Sequence, residues 1–273
     1  MSVQQGVDLG LGIARPRRLA RMAVRFGKGL VPFAVLLAIW EVAVVANLLP
    51  RSSFPAPQDL PGAFVSLVTE NGLLGSVLLT LERVLLGGAI GLGVGLALGS
   101  LIALNRRVSD ALSGLISFFQ SVGEVGWLPV LLLWLGFNAT TIVVTIAYTV
   151  AFPVFFGTVS GFETIPKNLG NSIRTLGGGR VQLLREVMLP GALPSIITGF
   201  RTGMGFGWRT VILAELLVGG QGLGVLLFEG QQSVRPDWIM VEMVIIGVIW
   251  LVLDGAILKP LERRTVERWG LQR

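Results

Sequence analysis

Residues 30–49, 84–104, 140–160, 191–218 and 239–258 are five apolar runs nearly free of charge, each close to the roughly 20 residues that a helix needs to cross a bilayer core. Hydrocarbon offers no partner to backbone N–H and C=O groups, so a spanning chain must be helical or close into a barrel. Runs this long, without polar and apolar alternation, specify helices. A sixth run, 111–135, is interrupted by SVGEVG at 121–126, where two glycines and a glutamate weaken a helix. It is long enough to cross once as a broken helix. The expected fold is therefore all-α: a polytopic membrane protein with six transmembrane helices.

Charge placement gives these helices a direction. Only 14% of residues are charged, and cysteine and histidine are absent, which removes disulfides, thiol nucleophiles, histidine bases and the usual zinc sites. No paired catalytic carboxylates, nucleophile–base set or metal cluster is visible, so no enzyme, cofactor or metal site is expected. Arg15, Arg17, Arg18, Arg21, Arg25 and Lys28 precede the first apolar run. That run is longer than a signal-peptide core and lacks a small-residue cleavage site, so it reads as a retained span. Six crossings put both ends on one side. Seventeen of the 22 basic residues fall on that side, three (Arg51, Arg83 and Arg235) on the other, and two (Arg201 and Arg209) within the fifth run. The positive-inside rule then makes both termini cytoplasmic. The same placement explains the net charge of +6 without nucleic acid. The expected organisation is a basic arm over 1–29, a membrane domain over 30–258 and a basic tail over 259–273.

Within the second run, Gly87, Gly91, Gly95 and Gly99 recur every four residues. On a helix they lie near one face, drifting by about 40° per step, and admit a close helix neighbour. The segment FPAPQDLP, 54–61, cannot be helix interior and is expected to turn into a short interfacial helix. The stretch 219–238 is glycine-rich, weakly amphipathic, and ends near an interfacial tryptophan.

The stretch IRTLGGGRVQLLREVMLPGALP, 173–194, raises the possibility of a phosphate-cradling loop. A P-loop requires lysine and then serine or threonine after its last glycine, whereas Gly179 is followed by Arg180 and Val181. The chain is not expected to bind ATP. Residues 166–176 and 180–188 read instead as two short cytoplasmic helices with glycine between them and Pro190 ending the second. Ionisable residues inside spans usually face a path or a partner. Arg201, Trp208 and Glu215 recur every seven residues and so share one helix face, within about 40°. Glu124 sits at the break in the third run, and Arg209 lies on another face of the fifth. Two readings are open for these two: they form a buried ion pair, or Arg209 attracts an anionic solute while Glu124 shapes its passage.

The cytoplasmic stretch resembles the EAA loop of permease subunits of binding-protein-dependent ABC importers. That signature is E-A-A, a glycine four residues after the second alanine, and a hydrophobic-x-Leu-Pro ending. Here Gly177 takes the glycine position, Val187-Met188-Leu189-Pro190 the ending, and Asn171-Ser172-Ile173 replaces the triplet. FPAP at Phe54, TLERVLLGGAIGLGVGLALG from Thr80, WLPVLLLWLGF from Trp127, TGFRTGMGFGWRTVILAELL from Thr198 and GLG at Gly222 extend the resemblance and are most similar to the nitrate/sulfonate/taurine type. Where that type commonly carries a proline pair before the tryptophan of span three, this chain has Gly123 and Glu124. The resemblance implies a type I importer permease in a bacterial inner membrane, moving a small, anionic solute. Its partners would be a second permease copy, two ATP-binding subunits and an extracytoplasmic solute-binding protein. Asn171, Ser172, Ile173, Arg174, Leu176, Gly177, Arg180 and Arg185, in a loop over about 161–190, would couple to the ATPase. Glu124, Trp127, Arg201, Trp208, Arg209 and Glu215 are the candidates for pathway or gate. The rival reading is a gradient-driven transporter or channel, which would favour matching halves with broken helices; one broken helix is visible, and no repeat.

Overall fold

Proline and glycine set most helix boundaries in this chain. The computed structural model describes residues 31–32, 34–46, 48–50, 53–166, 177 and 179–268, in two units, Met1–Leu60 and Pro61–Arg273. In the first unit, the described apolar helix is α1 (Ala34–Val45), and residues 31–32 are helical as well. The expected first span, 30–49, is thus described only in part, and the basic arm lies outside the described residues. The proline-rich segment makes a single 3-10 turn, Pro57–Asp59, where the Asp59 carboxylate accepts the Ala56 N–H at 3.2 Å. The short helix expected after it follows as α2 (Leu60–Thr69).

The second unit is built around α5 (Ala139–Glu163), which is flanked by α3 (Leu73–Leu104) and α6 (Leu189–Val218). Among the described residues, four helical runs are long and apolar enough to cross a membrane: Leu73–Leu104, Gly114–Leu135, Ala139–Glu163 and Pro236–Thr265. A fifth crossing is available from Val181–Val218 with Leu223–Gln232, a pair bent by 54°. The glycine-rich outer stretch accordingly contains a helix, α7 (Leu223–Gln232), which buries Leu223, Gly224, Leu226 and Gly230.

The four-residue glycine stripe of α3 faces α5. A Cβ at Gly87 would lie 2.6 Å from the Ile146 Cβ; at Gly91 and Gly95 it would lie 2.6 Å from the carbonyl oxygens of Ala147 and Ala151; at Gly99 it would lie 2.7 Å from the Thr158 Cβ. The helices therefore meet backbone to backbone, with dispersion and close packing as the attraction where lipid removes any hydrophobic drive. By contrast α4 (Arg106–Leu135) is only 6% buried over its apolar window, against 56% for α5. It leaves a wide apolar face for lipid or for another chain.

Two expectations are corrected by the helix ends. The second span begins at Leu73 and not near residue 84, so Arg83 lies inside a helix and not in an outer loop. Pro190 does not end the second of the two short helices expected before it. Arg180–Leu183 is α-helical and Leu184–Met188 forms a wide π turn, in which the Leu189 N–H bonds to the Leu184 carbonyl; the chain then runs straight into α6. Proline lacks an N–H and its ring presses on the carbonyl four residues back, and a turn widened by one residue relieves both problems. The device recurs after α8 (Pro236–Leu253), where the π turn Asp254–Leu258 precedes Pro260 in α9 (Lys259–Arg268).

Candidate functional site

Charges buried in spans must be paired, and those of α6 are paired at both of its ends. Near the C-terminal end of α6, Glu215 is fully buried and its Oε1 accepts from Arg83 Nη1 at 2.7 Å. The Thr80 hydroxyl lies 2.9 Å from both carboxylate oxygens, and the Gly224 N–H donates to Oε2 at 3.0 Å. Thr80 Oγ1 also accepts the Leu223 N–H, while Arg83 donates to the Gln221 carbonyl at 2.6 Å. The carboxylate fills the space that a side chain at Gly222 would need. One carboxylate thus ties α3, α6 and the start of α7 together, with its oxygens supplied by donors as burial requires.

Toward the other end, Arg201 grips Asp254 with two parallel bonds, Nε to Oδ1 at 2.6 Å and Nη2 to Oδ2 at 2.8 Å. Its Nη1 reaches Glu262 Oε2 at 2.6 Å, and Thr198 donates to Glu262 Oε1 at 2.9 Å. This network fastens α6 to the π turn below α8 and to α9. Trp208, between the two clusters, is buried and stacks on Trp250 with ring centroids 6.3 Å apart. Arg201, Trp208 and Glu215 therefore hold helices together, and none of them lines the cavities described next.

Gly123 breaks α4 as the sequence predicts, with φ 67 and ψ 167. The left-handed φ favours glycine there. Beside the break is a cavity of about 310 Å³ whose lining includes Glu124, Tyr148, Thr149, Phe152 and Phe206. It shares Pro153, Phe156 and Thr202 with a second cavity of about 690 Å³, which continues along α5 and α6 to Glu163 and Ser195. Trp127 stands behind the first cavity, stacked on Phe119 at 5.0 Å and 6.3 Å from the Tyr148 ring. The proposed partners do not meet: among the described residues Glu124 and Arg209 form no ion pair, and Arg209 is exposed with its guanidinium 5.9 Å from the Phe206 ring centroid. One turn of α6 separates Arg209 from Phe206, and Arg209 is absent from the cavity lining.

Of the EAA-like loop, Asn171, Ser172, Ile173, Arg174 and Leu176 lie outside the described residues. Gly177 has φ 82, a left-handed turn, and Arg180 opens the helix that leads to α6, on which Arg185 is exposed. Sequence reasoning missed Thr80, Arg83, Asp254 and Glu262 as partners of the α6 charges. It also missed Glu242, which is fully buried in α8 with neither oxygen hydrogen bonded among the described residues. The available signal was that Asp254 and Glu242 are acidic residues inside an apolar run.

The family described as binding-protein-dependent transport system inner membrane component matches residues 91–261. The chain is 28% identical to the putative aliphatic sulfonates transport permease protein SsuC of Bacillus subtilis, over 89% of this chain and 88% of that protein. It is also 28% identical to the taurine transport system permease protein TauC of Escherichia coli, over 85% and 86% respectively. Among solved structures, an inward-facing conformation of the MetNI methionine ABC transporter aligns with a TM-score of 0.56 at 20% identity, covering 69% of this chain and 95% of that one, a likeness of fold. The buried helix locks, the broken fourth helix and the helix leading from Gly177 into α6 are thus features of a transport permease, and the chain belongs to the family of binding-protein-dependent transport system inner membrane components.

Proposed function

We propose that this permease lines the solute path of an ATP-driven importer, working as a pair of copies with two ATP-binding subunits on the cytoplasmic face and a solute-binding protein outside. The observation that carries the reading is the uninterrupted helix from Arg180 through the π turn into α6. A subunit that pushes on the segment after Gly177 moves a membrane span bodily, because a packed helix transmits displacement as a rigid element. Asn171 to Arg174, Leu176, Gly177, Arg180 and Arg185 form the docking knob in this reading. The arrangement of basic residues supports both termini in the cytoplasm of a bacterial inner membrane. It also supports the division into a basic arm, a membrane domain and a basic tail. The relatives named for sulfonates and taurine support a small solute that carries an oxyanion. The two adjoining cavities along α5 and α6, with Glu124 and Trp127 at the break, form the path.

Gly177→Val tests the coupling. A β-branched residue at φ 82 costs about 1–2 kcal/mol in the left-handed conformation, so the turn should rearrange and the knob should lose its fit. The variant should still insert and assemble, with solute-stimulated ATP hydrolysis falling toward the unstimulated rate. Normal stimulation in an assembled Gly177→Val complex would reject the assignment.

A further inference from the structure

The polar complement of the cavity beside Gly123 is one-sided. Among the described residues Glu124 is its single charged lining residue. The hydroxyl hydrogens are already committed: Tyr148 donates to the Phe119 carbonyl, Thr149 to Thr145 and Thr202 to Thr198. Each of those oxygens keeps only acceptor capacity. Pro153 has no N–H, so the Thr149 carbonyl also loses its helical donor. Among the lining side chains Gln120 alone retains a donor. The remaining walls are Gly123, Pro153 and the rings of Phe152, Phe156, Tyr148 and Phe206; ring faces attract cations, and that of Phe206 already has the Arg209 guanidinium 5.9 Å from its centroid. An oxyanion placed here would meet a carboxylate and filled hydroxyls, with the Gln120 amide as its one side-chain donor. A cation or a cluster of N–H groups would meet acceptors on every polar side.

We propose that this cavity is a subsite for a cationic or N–H-donating nitrogen group of the transported solute, held by Glu124 among aromatic rings. The inference rests on the reading of the α5–α6 groove as the solute path. It adds that the solute carries such a nitrogen besides any oxyanion, and that Glu124 discriminates it from a plain oxyanion of the same size. The volume of about 310 Å³ suits a small organic group.

The test uses the permease assembled with its ATPase subunits in lipid nanodiscs, titrated with benzylammonium and, separately, phenylmethanesulfonate. These probes share a ring and a methylene and differ in charge. Benzylammonium should bind saturably and phenylmethanesulfonate should not compete. Glu124→Gln should weaken benzylammonium binding by about tenfold or more, the loss of one charge-assisted contact, and Glu124→Asp should retain most of it. Should the glutamine variant fail to assemble, the two probes on the wild type and the aspartate variant decide alone. Equal binding of the sulfonate, no binding of benzylammonium, or undiminished binding by Glu124→Gln overturns the proposal. If those results come from a complex that still shows solute-stimulated hydrolysis, the importer reading stands and only the subsite falls. A chain that assembles with no ATPase removes both.

Discussion

Replacing Arg83 with methionine is expected to destabilise the permease by about 3–5 kcal/mol, the cost of stranding one member of a buried ion pair. Glu215 is fully buried, and in the variant it would keep only the Thr80 hydroxyl and the Gly224 N–H as donors. The first hydroxyl hydrogen cannot serve two oxygens at once. The start of α7 would also lose the Arg83 bond to the Gln221 carbonyl. Glu215→Gln should cost less, because Arg83 is 12% exposed at its side chain and keeps the Gln221 carbonyl as an acceptor. The double change should cost less than the sum of the two, since no charge is left behind. Thermal unfolding of the purified protein in detergent measures all three. Strictly additive losses, or an Arg83→Met variant as stable as the wild type, would remove the lock from the account.

The second large effect concerns the glycine stripe, and its sign should reverse within two residues. Gly95→Ala puts a methyl carbon 2.6 Å from the Ala151 carbonyl oxygen, a backbone atom that no rotamer change can move aside. Separation of α3 from α5 should cost about 1–3 kcal/mol. At Gly93 a Cβ would meet nothing within 4 Å. Gly93→Ala should therefore be neutral or should stabilise by up to about 1 kcal/mol through helix propensity. The same unfolding assay compares them, and equal melting temperatures for the two variants would refute backbone contact as the basis of the packing.

The sequence made one kind of information legible, the kind encoded within a single helix. The apolar lengths marked the four helical runs able to cross and the bent pair that offers a fifth crossing, the four-residue glycine spacing marked the face of α3 that meets α5, and SVGEVG located the break at Gly123. Each of these depends on local period or local backbone freedom. Pairing across helices was not legible. Arg83 and Glu215 are 132 residues apart, and Arg201 and Asp254 are 53 apart, and no local pattern ties such residues together. Two otherwise unexplained charges inside spans suggested Glu124 with Arg209, and the helix rotations instead left Glu124 at a cavity and Arg209 over Phe206. Pro190 misled for a different reason. Proline signals a helix end, but a π turn ahead of it absorbs the missing bond, and the helix continues.

The central claim is that ATP hydrolysis on the cytoplasmic side, and not an ion gradient, drives solute through this permease. Uptake into proteoliposomes containing the permease and its ATPase subunits measures this directly, with ATP confined to one face of the membrane and the solute-binding protein to the other. The account predicts accumulation that needs both additions on those sides and persists when ionophores collapse all gradients. Accumulation by the permease alone, driven by a gradient and indifferent to ATP, would contradict it.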